Sequence, residues 1–191
     1  MVSKDDIGML LGKIKEKSNH RDFVILGSLS ILGHPGQIPL GMMVSNDVDL
    51  YLKNDPSRSD GVSDFGEDSD FHETYGYYAD KVSPNMPSLP EGWKERLVLV
   101  KYKDGVNGLF LEPNDCAISK YFRGNENDLS WIRQGLDAKI LDLAIIKDRL
   151  KSVTNCLEGE AEKVKVLIAI DESRISKIST QQTVKPPQIG K

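Results

Sequence analysis

Hydrophobic and polar positions along the first half of the chain predict one amphipathic helix followed by two strands. In the segment 5–17, apolar side chains recur at the spacing of one helix face. Residues 23–26 form a short, β-branched apolar run that ends at Gly27, which predicts a buried strand. Residues 44–52 alternate, with Val48, Leu50 and Leu52 on one face and Asp47, Asp49 and Tyr51 on the other, which predicts a second strand.

The second half of the chain predicts a hairpin and then helices. Residues 97–102 and 106–111 are strand-like, and the Asp104-Gly105 pair between them is a strong hairpin signal. Helical segments are predicted at 114–122, 125–135, 139–151 and 158–170. Strands followed by helices indicate an α/β (α+β) fold, a mixed β-sheet with a C-terminal helical subdomain. The predicted division is a sheet domain at 1–113, a helical subdomain at 114–172 and a flexible tail at 173–191.

Composition narrows the class of protein. The 191 residues are 39% hydrophobic and 28% charged, which is ordinary for a globular domain, and the net charge of −4 does not favour non-specific binding to nucleic acid. Neither a membrane-spanning run nor a signal peptide is predicted. Cys116 and Cys156 are the only cysteines and do not form a C-x-x-C pair, so we expect a reduced, cytoplasmic protein.

Gly27-Ser28 is the first candidate for chemistry. A glycine where a strand turns into a helix allows the backbone to approach a ligand closely, and free amides at the start of the helix attract phosphate oxygens. Ser28 stands where this helix would begin. Taken alone, a Gly-Ser pair after a strand is more often a simple turn and cap.

Asp47 and Asp49 are the second candidate. On a strand, residues i and i+2 face the same side, so the two carboxylates project together. Carboxylates that close repel each other unless a cation lies between them, and Mg²⁺ prefers such hard oxygen ligands together with phosphate oxygens. An isolated D-x-D is more often a solvent-facing strand, and the combination with Gly27-Ser28 favours the metal site.

This combination resembles the signature of the nucleotidyltransferase (polymerase beta-like) superfamily. A later stretch, with Asp115, Lys120, Arg123 and Asp128-Leu129, resembles motifs of abortive-infection AbiEii-type toxins. Two positions depart from that pattern, because Asn127 replaces a lysine and Trp131 stands in place of a final aspartate.

A closer resemblance is to an uncharacterised bacterial family of nucleotidyltransferase-like proteins, and it covers residues 20–150. The motifs that carry it lie between Gly27 and Lys120: G-S-x-x-I-L-G, S-x-D-x-D, F-H-E-x-x-G-Y-Y-A-D, L-P-x-G-W-x-x-R-L and L-E-P-x-D-x-x-x-S-K.

The resemblance implies a role for each candidate residue. Gly27 and Ser28 would hold the triphosphate of an NTP, while Asp47 and Asp49 would be catalytic ligands of one or two Mg²⁺ ions. Lys120 and Arg123 would contact phosphates, and Lys120 and Asp128 would also be catalytic. The third metal carboxylate is not fixed by the sequence; the candidates are Asp128, Glu112 and Glu73. Each of Lys120, Arg123 and Asp128 is equally consistent with an ordinary surface charge.

Two functions therefore stay open. One is an enzyme that transfers a nucleoside monophosphate from NTP to a hydroxyl of RNA, protein or a small molecule, either alone or as the toxin of a toxin–antitoxin pair with an antitoxin-like partner. The other is an inactive module that binds nucleotide, RNA or a partner protein, which the departures at Asn127 and Trp131 favour. The oligomeric state is not predicted.

Overall fold

The structure, a computed structural model, describes residues 1–58, 61–85 and 88–183, with side chains described through residue 178. The strands are β1 (Asp22–Ile25), β2 (Asp47–Leu52), β3 (Tyr78–Lys81), β4 (Val98–Lys101) and β5 (Asn107–Phe110). The helices are α1 (Lys4–Ser18), α2 (Asp70–Tyr75), α3 (Pro113–Arg123), α4 (Glu126–Asp137), α5 (Leu143–Leu150) and α6 (Glu160–Thr183). Short 3₁₀ turns link several of them, and the first follows β1 directly, at Ser28–Gly33.

The five strands form one mixed sheet in the order β3-β2-β1-β5-β4. Strand β1 is antiparallel to β2 and parallel to β5, β2 is parallel to β3, and β4 and β5 form the antiparallel hairpin that Asp104-Gly105 predicts. The predicted α+β fold with a mixed sheet is confirmed. Strand β2 begins at Asp47 instead of residue 44, because Val44 is exposed and lies outside the sheet.

Hydrophobic side chains cover both faces of the sheet. The predicted face of α1 is buried against one side, together with Val48, Leu50 and Leu52 of β2. Helices from the C-terminal half cover the other side, where Tyr51 of β2 joins Ile118 and Trp131 in a second core. The alternation of strand β2 is therefore confirmed, and it directs Asp47 and Asp49 toward the face that carries the C-terminal helices. The predicted domain division at 113/114 stays a prediction.

Helix α6 continues through Thr183, whereas the sequence pattern predicted a flexible tail from residue 173. Polar contacts hold the helix on both sides of the predicted boundary at residue 173. Asp171 is fully buried and accepts hydrogen bonds from the Tyr121 hydroxyl (2.9 Å) and Arg133 Nε (3.0 Å), and Arg174 donates to Asp137 (2.8 Å). The rest of the predicted tail, 184–191, lies outside the described residues. Among the described helices, none combines the length and apolar character that crossing a bilayer requires.

Candidate functional site

The turn after β1 brings Gly27 against Asp49. Gly27 has φ 60° and ψ −158°, a backbone conformation that side chains with a Cβ rarely adopt. A Cβ placed on Gly27 would lie 1.7 Å from Asp49 Oδ2, so the glycine is what allows the turn and the carboxylate to touch. The neighbouring Leu26 N–H donates to the Asp49 carbonyl (2.8 Å), which fixes the end of β1 beside the middle of β2.

Strand β3 adds a third aspartate. Because β2 and β3 are parallel, with Asp47 opposite Tyr78 and Asp49 opposite Asp80, the three carboxylates project from the same face. One carboxylate oxygen from each of Asp47, Asp49 and Asp80 lies within 4.8 Å of the others, in what we call the aspartate cluster. The Ser45 hydroxyl donates to Asp47 and orients it. Asp80 is the exposed member, and the other two are partly buried.

The three carboxylates of the aspartate cluster repel one another when they are ionised. Burial, together with the neighbouring charges of Asp47 and Asp80, raises the pKa of Asp49 to about 6, against the opposing effect of Arg123 and Lys120. Burial and Asp47 likewise raise the pKa of Asp80. A divalent cation bound between the three carboxylates would remove this repulsion. Clustered hard oxygen ligands of this kind fit Mg²⁺.

Lys120 lies beside the turn and links it to α4. Its Nζ donates to Ser28 Oγ (2.8 Å) and to Asp128 Oδ1 (2.8 Å), and both charged side chains are only 3% exposed. Arg123 donates to both oxygens of Asp128 (2.9 and 2.6 Å) while remaining more than half exposed. Lys120 Nζ also lies 5.0 Å from the centroid of the Trp131 ring. Lys120 is thus held in a fixed position at the start of the turn.

Asp128 pairs with these two cations and does not join the aspartate cluster. Burial acts to raise its pKa, but hydrogen bonds from Arg123 and Lys120 outweigh burial, so the pKa of Asp128 lies below its usual value. Both of its oxygens are occupied by these two cations. Within the described residues, the group of acids that could hold a metal excludes Asp128 and consists of the aspartate cluster alone.

The other two candidates for the third carboxylate also lie elsewhere. Glu112 caps α3 by accepting hydrogen bonds from the Asn114 and Asp115 N–H groups (both 3.1 Å), and it pairs with Arg149. Glu73 is exposed on α2. Neither residue therefore joins the aspartate cluster, whose third member is Asp80.

Sequence reasoning missed Asp80 because it left residues 71–82 without an assigned structure. A signal was present, since Tyr77 and Ala79 lie two residues apart and both are buried. That spacing predicts a short strand with Tyr78 and Asp80 on its opposite face. Asp80 is also the last residue of the F-H-E-x-x-G-Y-Y-A-D motif.

A cavity of about 360 Å³ adjoins the aspartate cluster and the turn. We call it the side cavity. Its polar rim includes residues already described: Gly27, Asp49, Lys120 and Arg123. Its walls are partly apolar, from Leu26, Val82, Leu111 and Phe122, and a further carboxylate, that of Glu160 at the start of α6, lines it as well. The molecule thus places a ligand-sized hollow next to a candidate phosphate and metal site.

Comparison with known proteins agrees with this geometry. Residues 6–179, nearly the whole chain, match the model of a family described as "Nucleotidyltransferase of unknown function (DUF6036)". No curated protein and no solved structure was found to match. The family match spans the turn, all three aspartates and the Lys120–Asp128 pair. The chain therefore belongs to the DUF6036 family of nucleotidyltransferases of unknown function.

Proposed function

We propose that this protein is a Mg²⁺-dependent enzyme that transfers a nucleoside monophosphate from an NTP to a hydroxyl group of RNA, a protein or a small molecule. The observation that carries the proposal is the convergence of three carboxylates, within 4.8 Å of one another, on a glycine turn that a buried lysine supports. Few structural roles require three repelling acids in one place, whereas nucleotidyl transfer requires metal ligands beside a phosphate site.

Asp47, Asp49 and Asp80 would hold the metal. Bound Mg²⁺ would supply charge neutralisation for the phosphates and the departing pyrophosphate. Asp49 is the best fixed of the three, because the turn at Gly27 packs directly against its carboxylate. Asp80 is the exposed ligand and therefore lies on the side from which an acceptor hydroxyl can approach.

The turn at Gly27-Ser28 and the two cations beside it, Lys120 and Arg123, would bind the phosphates. Gly27 brings the turn against Asp49, and Ser28 places its hydroxyl within 2.8 Å of Lys120 Nζ, so a phosphate held at the turn would lie beside the metal ligands. Lys120 is buried yet charged, so it offers a positive charge in a position where little water screens it. Arg123 is more exposed and carries planar N–H donors that suit phosphate oxygens.

The inactive binding module is the less favoured alternative. Trp131, which replaces an expected aspartate, is buried, donates its indole N–H to the Met42 carbonyl (3.1 Å) and packs beside Lys120. Asn127 is exposed. Both departures thus lie outside the aspartate cluster, so neither removes a metal ligand, and this supports an active enzyme.

The acceptor and the cellular role belong to the same proposal. A role as a toxin, acting in the cytoplasm on RNA or a protein and held by an antitoxin-like partner, rests on the sequence resemblance. Growth arrest on expression of the wild type, relieved by Asp47→Asn, would support it. Equal growth with both proteins would contradict the toxin role, but it would not contradict the proposed transfer reaction.

Transfer of label from α-³²P-labelled NTPs tests the enzyme directly. With Mg²⁺ and a cell extract as the source of acceptors, the wild type is expected to label an acceptor. Asp47→Asn should reduce labelling by roughly 10²-fold or more, because an essential charge is lost where the metal binds. The control Asp70→Asn changes an exposed acid of α2 and should leave labelling unchanged. Nucleotide binding without transfer to any acceptor would instead support the binding module.

Thermal stabilisation by Mg²⁺ is expected to depend on pH. Because the pKa of Asp49 is about 6, its carboxylate is mostly protonated at pH 5 and ionised at pH 8. A cation competes with that proton, so Mg²⁺ should raise the Tm clearly at pH 8 and much less at pH 5. Differential scanning fluorimetry with and without Mg²⁺ measures the effect, and an equal rise at both pH values would contradict it.

A further inference from the structure

We propose that the side cavity binds the nucleoside of the NTP and that Glu160 selects guanine, so that GTP is the preferred substrate. This inference rests on the proposed function and adds the identity of the nucleotide. It starts from position: the cavity shares Gly27, Asp49, Lys120 and Arg123 with the candidate phosphate and metal site. A triphosphate held there has its nucleoside within reach of the hollow.

The size and lining of the cavity suit a base. Its volume of about 360 Å³ falls in the range of about 300–1,000 Å³ typical of small-molecule pockets. Leu26, Val82, Leu111 and Phe122 give it apolar walls, which favour a flat aromatic ring over a hydrated polar group. Ser119 of α3 also lines the cavity and offers a position at which it can be filled by mutation.

Charge determines which way the nucleotide lies. Lys120 and Arg123 are the cationic part of the lining, so they attract the triphosphate. Glu160 is the one lining carboxylate outside the aspartate cluster within the described part of the chain, and it repels phosphate. The triphosphate therefore lies toward the cations, and the base lies toward Glu160.

The Glu160 carboxylate is held in place by the backbone that precedes α6. Its Oε2 accepts a hydrogen bond from the Leu157 N–H (2.7 Å), three residues before the helix begins. In the described part of the chain, Oε1 has no such partner. A carboxylate is purely an acceptor, with several lone pairs available, so this side chain can bind further N–H donors.

Guanine matches this acceptor better than the other bases. Its Watson–Crick edge presents two adjacent donors, N1–H and the N2 amino group, which a carboxylate accepts together. Adenine and cytosine each place a ring-nitrogen acceptor beside their amino group, and uracil flanks its single N–H with two carbonyls. In these three cases an acceptor of the base faces the carboxylate, which is repulsive.

Calorimetric titration of the full chain tests the inference with α,β-methylene analogues of the four NTPs, which bind but cannot transfer. In Mg²⁺, the GTP analogue should bind about tenfold or more tightly than the others, as charged hydrogen bonds predict. Glu160→Gln should abolish that preference, because a glutamine cannot accept both guanine donors but can still accept from Leu157. The control Glu158→Gln changes an exposed neighbour and should keep the preference.

Filling the cavity provides an independent readout. Ser119→Trp should weaken the binding of all four analogues at least about tenfold, so that their affinity approaches that of inorganic tripolyphosphate. Binding of tripolyphosphate itself should not change, and this also shows that the variant is folded. Nucleotide binding as tight as in the wild type would overturn placement of the nucleoside in the cavity.

The outcomes separate this inference from the proposed function. Analogues that bind without base preference, or a preference that survives Glu160→Gln, would overturn guanine selection and leave the enzyme standing. Failure of every analogue and of tripolyphosphate to bind the wild type would overturn both.

Discussion

Asp49→Asn is expected to be inactive and, at pH 8 without divalent ions, more stable than the wild type. The pKa of Asp49 is about 6 in the folded chain against an ordinary value of 3.8, because of burial and the charges of Asp47 and Asp80. The folded state thus binds more protons than the unfolded state between these two values. The contribution of Asp49 to stability is fully present below pH 3.8 and is lost as pH rises through 6.

The expected gain in stability follows from the difference between the pKa of Asp49 in the folded chain and its ordinary value. Two pKa units correspond to about 3 kcal/mol, so a neutral asparagine should recover about 1–3 kcal/mol of unfolding free energy at pH 8. Transfer activity should fall by roughly 10²-fold or more, since a metal ligand is lost. Urea unfolding monitored by circular dichroism, together with the label-transfer assay, measures both properties.

The matched control is Glu16→Gln, which removes an exposed acid of α1 and should change neither property. A destabilised Asp49→Asn variant at pH 8 would mean that the carboxylate is stabilised by its surroundings. The account of three repelling acids would then be wrong.

Gly27→Ala is expected to be strongly destabilised and inactive. The added Cβ would meet Asp49 Oδ2 at 1.7 Å and Asp49 Cγ at 2.7 Å, and the backbone would stay at φ 60°. Strain of this kind amounts to about 1–3 kcal/mol, and relief of the clash would displace the turn or the carboxylate. We expect a loss of about 2–4 kcal/mol in unfolding free energy and loss of detectable transfer.

Gly12→Ala provides the comparison within the same chain. Gly12 lies in α1, where a Cβ would meet nothing within 4 Å. Alanine favours a helix over glycine by about 1 kcal/mol, so this variant should be neutral or slightly more stable and fully active. If Gly27→Ala behaved like Gly12→Ala, the tight contact between the turn and Asp49 would not exist.

Local patterns were sufficient for most of the fold. Apolar spacing predicted α1 and the two faces of β2, and Asp104-Gly105 predicted the hairpin of β4 and β5. Such signals depend on neighbours in sequence, which is why they can be read without a structure. The helical continuation of α6 to Thr183 could not, because contacts such as that of Arg174 with Asp137, 37 residues earlier, lie far apart in sequence.

In the candidate site, too, some features follow from local sequence and others depend on contacts between distant segments. Asp47 and Asp49 lie two apart on one strand, so their convergence follows from strand geometry. Asp80 joins them through strand pairing between β2 and β3, which no local pattern specifies. The sequence motif also suggested Asp128 as a metal ligand. In the structure this acid is instead the partner of Lys120 and Arg123.

Direct measurement of Mn²⁺ binding by electron paramagnetic resonance, at pH 8, tests the central role of the aspartate cluster. Mn²⁺ substitutes for Mg²⁺ at oxygen sites and gives a signal that is lost on binding. Wild type and Glu73→Gln, which changes an exposed acid that the sequence offered as a third carboxylate, should bind with the same affinity. Asp80→Asn should bind at least about tenfold more weakly. Equal binding by all three proteins would contradict a metal site built from Asp47, Asp49 and Asp80.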